Sequence, residues 1–181
     1  ALDPALTPSP ENATPYLETY ITFDCSSLTY IKGSDGQYES SINVTTIFKQ
    51  GESIKNFDKY VVTSPKIADT ANINGFFMDI QRYSLPNGEY KMEITIEDSN
   101  NKTQKPLVVE ETILIDFPEN ICFSSIIGLE DYKPATEVSP TTKNGYDLIP
   151  MVMPYYPENI NILIFYAEIY NTMKTLGENE K

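Results

Sequence analysis

Tyr90-Lys91-Met92-Glu93-Ile94-Thr95-Ile96-Glu97 alternates apolar and polar side chains without a break. Successive side chains on a strand point to opposite faces. Tyr90, Met92, Ile94 and Ile96 therefore line one face, and Lys91, Glu93, Thr95 and Glu97 the other. The preceding Leu85-Pro86-Asn87-Gly88 is a turn, because Pro86 fixes φ near −65° and Gly88 accepts a positive φ. Asp98-Ser99-Asn100-Asn101 ends the strand.

The same period runs on both sides of this segment. Leu17, Thr19, Ile21 and Phe23 oppose Tyr16, Glu18, Tyr20 and Thr22. Ile42, Val44, Thr46 and Phe48 oppose Asn43, Thr45 and Ile47, and Gln50-Gly51-Glu52 closes a hairpin into Ile54 to Thr63. Ser27 to Lys32, Phe76 to Tyr83, Leu107 to Phe117 and Cys122 to Leu129 supply further short strands. About eight strands at close spacing, with no helical period before residue 158, predict an all-β chain: an immunoglobulin-like antiparallel β-sandwich over residues 16–130.

The flanks read differently. Residues 1–15 contain Pro4, Pro8, Pro10 and Pro15 and predict an extended Pro-rich leader. Residues 131–145, with Pro134, Pro140 and several threonines, predict a linker. Ile160 to Tyr170 is apolar on both faces, which predicts a buried central strand or a helix ending near Lys174. As a strand it has no partners after it, so residues 146–181 are expected to begin a second, truncated β-domain.

Composition excludes several functions. Thirteen Lys and Arg stand against 26 Asp and Glu, a net charge of −13. A nucleic-acid surface needs clustered cations, and Arg82 is the only arginine. An anionic membrane repels such a chain, whereas a basic protein or a divalent cation is attracted. Histidine is absent, which removes the Ser–His–Asp and Cys–His arrangements and the commonest transition-metal ligand. No carboxylate pair stands out by spacing, so neither an enzyme nor a cofactor is expected. No apolar run is long enough to span a membrane. The start at Ala1, without Met, reads as a removed signal or a trimmed chain.

Several constellations have a functional and a plainer reading. Cys25 and Cys122, the only cysteines, are a candidate disulfide or two small apolar thiols. Asn12-Ala13-Thr14, Asn43-Val44-Thr45 and Asn101-Lys102-Thr103 match the N-glycosylation pattern. Glu97, Asp98 and Asn100 offer oxygens to Ca²⁺ or form a solvated turn. Glu110-Glu111 reads as protection of an edge strand, with one of the two on the inward face. Tyr155 and Tyr156, with Phe165, Tyr166 and Tyr170, form a candidate interaction surface for sugar or peptide, or else core packing.

Three segments together carry a resemblance: Pro15-Tyr16-Leu17-Glu18-Thr19-Tyr20, Gln81-Arg82-Tyr83-Ser84-Leu85-Pro86-Asn87-Gly88-Glu89-Tyr90, and Phe165-Tyr166-Ala167-Glu168-Ile169-Tyr170-Asn171. In this order they resemble the amino-terminal part of the GWxTD-domain proteins of Bacteroidota. The Gly-Trp-x-Thr-Asp signature is absent. In that family it lies further toward the carboxyl end, which fits truncation. The resemblance implies an exported protein of β-domains in the periplasm or at the outer-membrane surface of a Gram-negative bacterium. In that setting Asp69-Thr70-Ala71 is similar to an O-glycosylation site of the phylum, with Thr70 as the acceptor.

The expected function is a non-catalytic envelope module that supports a protein assembly. Its partner is another envelope protein or the chain's own missing carboxyl-terminal domains. The alternatives are a glycan- or peptide-binding sandwich and a fimbrial or adhesin subunit that adds a strand to a neighbour.

Overall fold

The computed structural model of the chain describes residues 2–8, 15–152, 155, 156, 158 and 160–177. In chain order the strands are β1 (Leu2–Pro8), β2 (Pro15–Asp24), β3 (Ile31–Lys32), β4 (Tyr38–Glu39), β5 (Ser41–Gln50), β6 (Ser53–Thr63), β7 (Phe76–Ser84) and β8 (Gly88–Asp98). They continue with β9 (Leu107–Ile115), β10 (Cys122–Phe123), β11 (Ile127–Pro134), β12 (Thr142–Lys143), β13 (Tyr146–Pro150), β14 (Ile164–Tyr166) and β15 (Ile169–Tyr170). A short helix, α1 (Thr172–Leu176), follows. The chain is all-β, with antiparallel sheets of the sandwich type, as the alternation predicts.

It divides into two compact units. The first comprises Ala1–Ile21, Ile80–Asn87 and Asp116–Lys181, and the second Thr22–Asp79 and Gly88–Ile115. The expected division at residues 130 and 145 is therefore replaced by one in which the chain passes between the units repeatedly.

The second unit holds a four-stranded sheet in the order β6-β5-β8-β9, every neighbour antiparallel. Its register sets Met92 beside Phe48 and Glu111, and Ile94 beside Thr46 and Val109. Ile42, Val44, Thr46 and Phe48 of β5 are buried, as are Tyr90, Met92 and Ile94 of β8. The opposite face carries Lys49 paired with Glu93 at 3.2 Å and Lys91 paired with Glu110 at 2.8 Å. Gly51, at φ 55°, opens the two-residue turn from β5 to β6, a position that a residue with a Cβ disfavours. Glu111 shares a face with Met92 yet is exposed, because β9 lies at the sheet edge among the described strands. A charge there discourages edge-to-edge pairing.

The segment Ser27 to Lys32 is not one strand. Asp24 caps a 3-10 turn at Cys25–Ser27, its Oδ1 accepting from Ser26 N at 2.8 Å, and only Ile31–Lys32 is extended. Cys122 to Leu129 is likewise split, into β10 and the start of β11.

In the first unit β13, β11 and β14 are flanked by β12 in a sheet ordered β12-β13-β11-β14, and β10 pairs with β15. The expected linker at 131–145 is part of this sheet. Asp131–Pro134 extends β11, and the turn Asn144-Gly145 joins β12 to β13 with φ 50° and φ 82°. Positive φ at both central residues is the hairpin geometry that Asn-Gly favours. The expected leader is also corrected: Leu2–Pro8 pairs with β2, from Leu2 opposite Ile21 to Pro8 opposite Pro15. An edge strand tolerates proline, since no ladder bond is lost on its outer side. The first N-glycosylation match, at Asn12, lies outside the described residues.

Ile160 to Tyr170 is not a buried central strand. Only residues 164–166 and 169–170 are extended, and β14 lies at the edge of its sheet among the described strands. Ile160, Ile162, Leu163, Phe165 and Ile169 are exposed. Apolar side chains on both faces reflect an exposed surface here, not burial on two sides. The helix reading holds only for the turn and a half at Thr172–Leu176.

Candidate functional site

Within the first unit, β2 buries both of its faces. Leu17, Glu18, Thr19, Tyr20 and Ile21 are all buried, and Glu18 has no solvent exposure. A carboxylate so placed must be paired. Arg82 of β7 donates from Nε to Glu18 Oε1 at 2.7 Å. Lys143 of β12 donates from Nζ to Oε2 at 2.7 Å, and Tyr20 Oη donates to the same oxygen at 2.8 Å. Arg82 also donates from Nη2 to the Pro140 carbonyl at 2.9 Å.

Aromatic rings complete the surroundings of the cations. The Tyr16 ring lies 5.7 Å from the Arg82 guanidinium carbon and 5.8 Å from Lys143 Nζ, and Tyr166 presents its ring to the same Nζ at 5.8 Å. These separations lie within the cation–π range. Tyr166 Oη in turn donates to Glu168 Oε1 and accepts from Asn144 Nδ2 at 2.7 Å. The backbone of Glu168 is fixed by Ser124, which donates its N–H to the Glu168 carbonyl at 2.9 Å and accepts the Glu168 N–H on Oγ at 2.9 Å.

The electrostatics follow from this geometry. Burial pushes the Glu18 carboxyl upward, but the bonds and charge of Lys143, followed by the bonds of Arg82 and Tyr20, outweigh it and hold the carboxyl below the usual range. Burial and the Glu18 charge push the Tyr20 phenol well up. Burial and Glu168 do the same to Tyr166. Glu18 thus stays ionised, with both oxygens occupied and no route to solvent. The cluster holds charges in place, with the carboxylate turned away from solvent. Residues from all three segments that carry the resemblance meet here: Tyr16, Glu18 and Tyr20, then Arg82, then Tyr166 and Glu168.

The same unit has an open cleft of about 430 Å³. Leu129 and Tyr132 of β11, Leu148 of β13 and residues 163–166 along β14 line it. The aromatic surface expected from sequence is divided. Tyr155 and Tyr156 are exposed, and Phe165 is exposed at the cleft. Tyr156 also covers Gly128, where an added Cβ would stand 3.2 Å from its hydroxyl. Tyr166 turns toward Lys143. Tyr170 packs edge-on against Phe117, with ring centroids 5.5 Å apart, and its hydroxyl is buried without a partner among the described residues.

The remaining candidates do not join this site. Cys25 and Cys122 are free thiols, one in the second unit and one in the first. Thr70 is exposed in a loop where Asp69 Oδ1 accepts from Ala71 N at 2.6 Å. Asp98 accepts from Thr29 N on Oδ2 and from Asn100 N on Oδ1, each at 2.8 Å, so both of its oxygens bond the backbone. Among the described residues no three His, Cys, Asp or Glu side chains are grouped to hold a metal ion, and no helix is long and apolar enough to cross a membrane.

Sequence reasoning missed the Glu18 cluster. The one local signal was a carboxylate between Tyr16 and Tyr20 on an aromatic face; Lys143 lies far along the chain and no periodicity connects them. Compared with protein-family models, with curated proteins and with solved structures, the chain matches none.

Proposed function

We propose that this chain is a non-catalytic, exported module of a bacterial cell envelope, immunoglobulin-like in its sandwich, that supports an assembly through protein–protein contacts. The observation that carries the reading is the exposed apolar surface along the cleft. Ile162 is 75% exposed, and Leu163 and Phe165 are each 64% exposed, beside edge strand β14. Exposed apolar side chains gathered beside a cleft mark interaction sites. An edge strand adds backbone groups that a partner strand can pair with. The buried Glu18 cluster contributes by tying β2, β7 and β12 together within the unit.

The test places a photo-crosslinking amino acid at Phe165 of the full chain, with a control at Phe57, and exposes both to envelope extracts of the native host. A discrete protein adduct at 165 and none at 57 supports the reading. No adduct at 165, or equal adducts at both, ends it. A glycan- or peptide-binding module is the second reading, favoured by the exposure of Tyr155 and Tyr156. It predicts weakened glycan or peptide retention on Tyr155→Ala/Tyr156→Ala.

A further inference from the structure

Asparagine followed by glycine occurs three times, at Asn74-Gly75, Asn87-Gly88 and Asn144-Gly145. Glycine leaves the next backbone nitrogen unhindered, so that nitrogen can attack the asparagine carboxamide. The fold treats the three pairs differently. Asn87 is held at both ends of its carboxamide: Nδ2 donates to the Phe117 carbonyl at 3.0 Å, and Oδ1 accepts the Phe117 N–H at 3.0 Å. Asn144 is fixed in the β12–β13 turn at φ 50°, with Nδ2 donating to Tyr166 Oη at 2.7 Å.

Asn74 has neither restraint. It is exposed, and its side chain has no hydrogen bond to a described residue. Gly75 lies outside the strands at φ 96°, its N–H donates to no described residue, and a Cβ built on it would meet nothing within 4 Å. The attacking nitrogen and the carboxamide it attacks are therefore both unrestrained.

We propose that Asn74 is a site of spontaneous deamidation, with water as the only co-reactant. The Gly75 nitrogen gives up its proton to water and bonds to Cγ of Asn74. The Cγ–Nδ2 bond breaks, and Nδ2 leaves as ammonia after taking up a proton. The resulting succinimide adds water at one of its two carbonyls and opens to aspartate or isoaspartate. A carboxamide becomes a carboxylate in a chain that already carries a net charge of −13. Isoaspartate also inserts a methylene just before Gly75, whose carbonyl accepts the Cys25 N–H at 3.1 Å. The modification therefore acts at the entry to β7.

The full chain is incubated at physiological temperature and slightly alkaline pH, digested, and followed by peptide mass spectrometry with isoaspartate methyltransferase labelling. Asn74 is expected to convert about tenfold faster than Asn87 or Asn144, the factor that about 1.4 kcal/mol of local opening imposes on a restrained site. In urea the three rates converge, since each asparagine precedes glycine. Asn74→Gln removes the fast conversion and leaves the other two unchanged. Native conversion of Asn74 no faster than at the other pairs overturns the proposal, as does a spread of rates that persists in urea.

Discussion

In the second unit β5 and β8 bury Ile42, Val44, Phe48, Tyr90, Met92 and Ile94, with Thr46 as the one polar side chain among them. In the first unit β2 buries Glu18 among Leu17, Tyr20 and Ile21, and β12 buries Lys143. The apolar core is stabilised by area removed from water, which has no direction and tolerates a change of partner. The ionic core is stabilised only while its buried pair is complete, because Glu18 and Lys143 have lost their water, whereas the Arg82 side chain is 42% exposed. Substitution therefore separates the two units.

The largest effect is expected at Glu18. Glu18→Ala leaves Lys143, 6% exposed, without its counter-charge, and should cost about 3–5 kcal/mol in denaturant unfolding. Replacing the whole cluster, as Glu18→Met/Tyr20→Phe/Arg82→Met/Lys143→Met, should return stability to within about 1 kcal/mol of the native chain, since no buried charge or hydroxyl is then orphaned. Phe48→Ala in the second unit should cost a similar ~3–5 kcal/mol through the cavity it leaves. No exchange of its polar neighbours restores that loss. A quadruple variant as unstable as Glu18→Ala would show that the cluster stabilises by shape and not by charge balance.

Acid sharpens the comparison at a smaller scale. The Glu18 carboxyl lies below its usual range in the folded chain, as the contacts with Lys143 and Arg82 outweigh its burial. A depressed carboxylate contributes stability that is fully present above its unfolded value and is lost as pH falls through the folded one. Unfolding followed from neutral pH downward should therefore lose stability below the ordinary glutamate range. The slope should be shallower in the quadruple variant. Parallel slopes for the two chains would assign the acid sensitivity to other carboxylates.

These differences also explain what could be read from sequence. Tyr90 to Glu97 and Ile42 to Phe48 were legible because one face meets the core and the other meets water, so period two maps onto burial. The β2 segment shows the same period, but it is buried on both sides, and alternation says nothing about a face that packs against charge. Lys143 joins Glu18 only through the β12–β13 hairpin, which begins inside the 131–145 stretch whose Pro134, Pro140 and threonines read as a linker; Asn144-Gly145 is the turn signal within it. Ile160 to Tyr170 failed in the opposite sense. An apolar run is equally compatible with a central strand and with an exposed surface, because composition does not record which neighbours cover it.

That last segment gives the smallest expected effect. Phe165 of β14 is 64% exposed, whereas Leu148 of β13, in the same sheet, is 5% exposed. Leu148→Ala should cost about 2–5 kcal/mol, as a core truncation does. Phe165→Ser should change stability by no more than about 0.5 kcal/mol, the range of surface substitutions, and it should raise solubility by shrinking the exposed apolar area. The pair is informative because both residues line the same cleft. If Phe165 is a contact surface, its removal spares the fold and abolishes the adduct of a cross-linking residue placed instead at Leu163, which lines the same cleft. A Phe165→Ser loss comparable to that of Leu148→Ala would make β14 part of the core and leave the cleft without a free apolar wall for a partner.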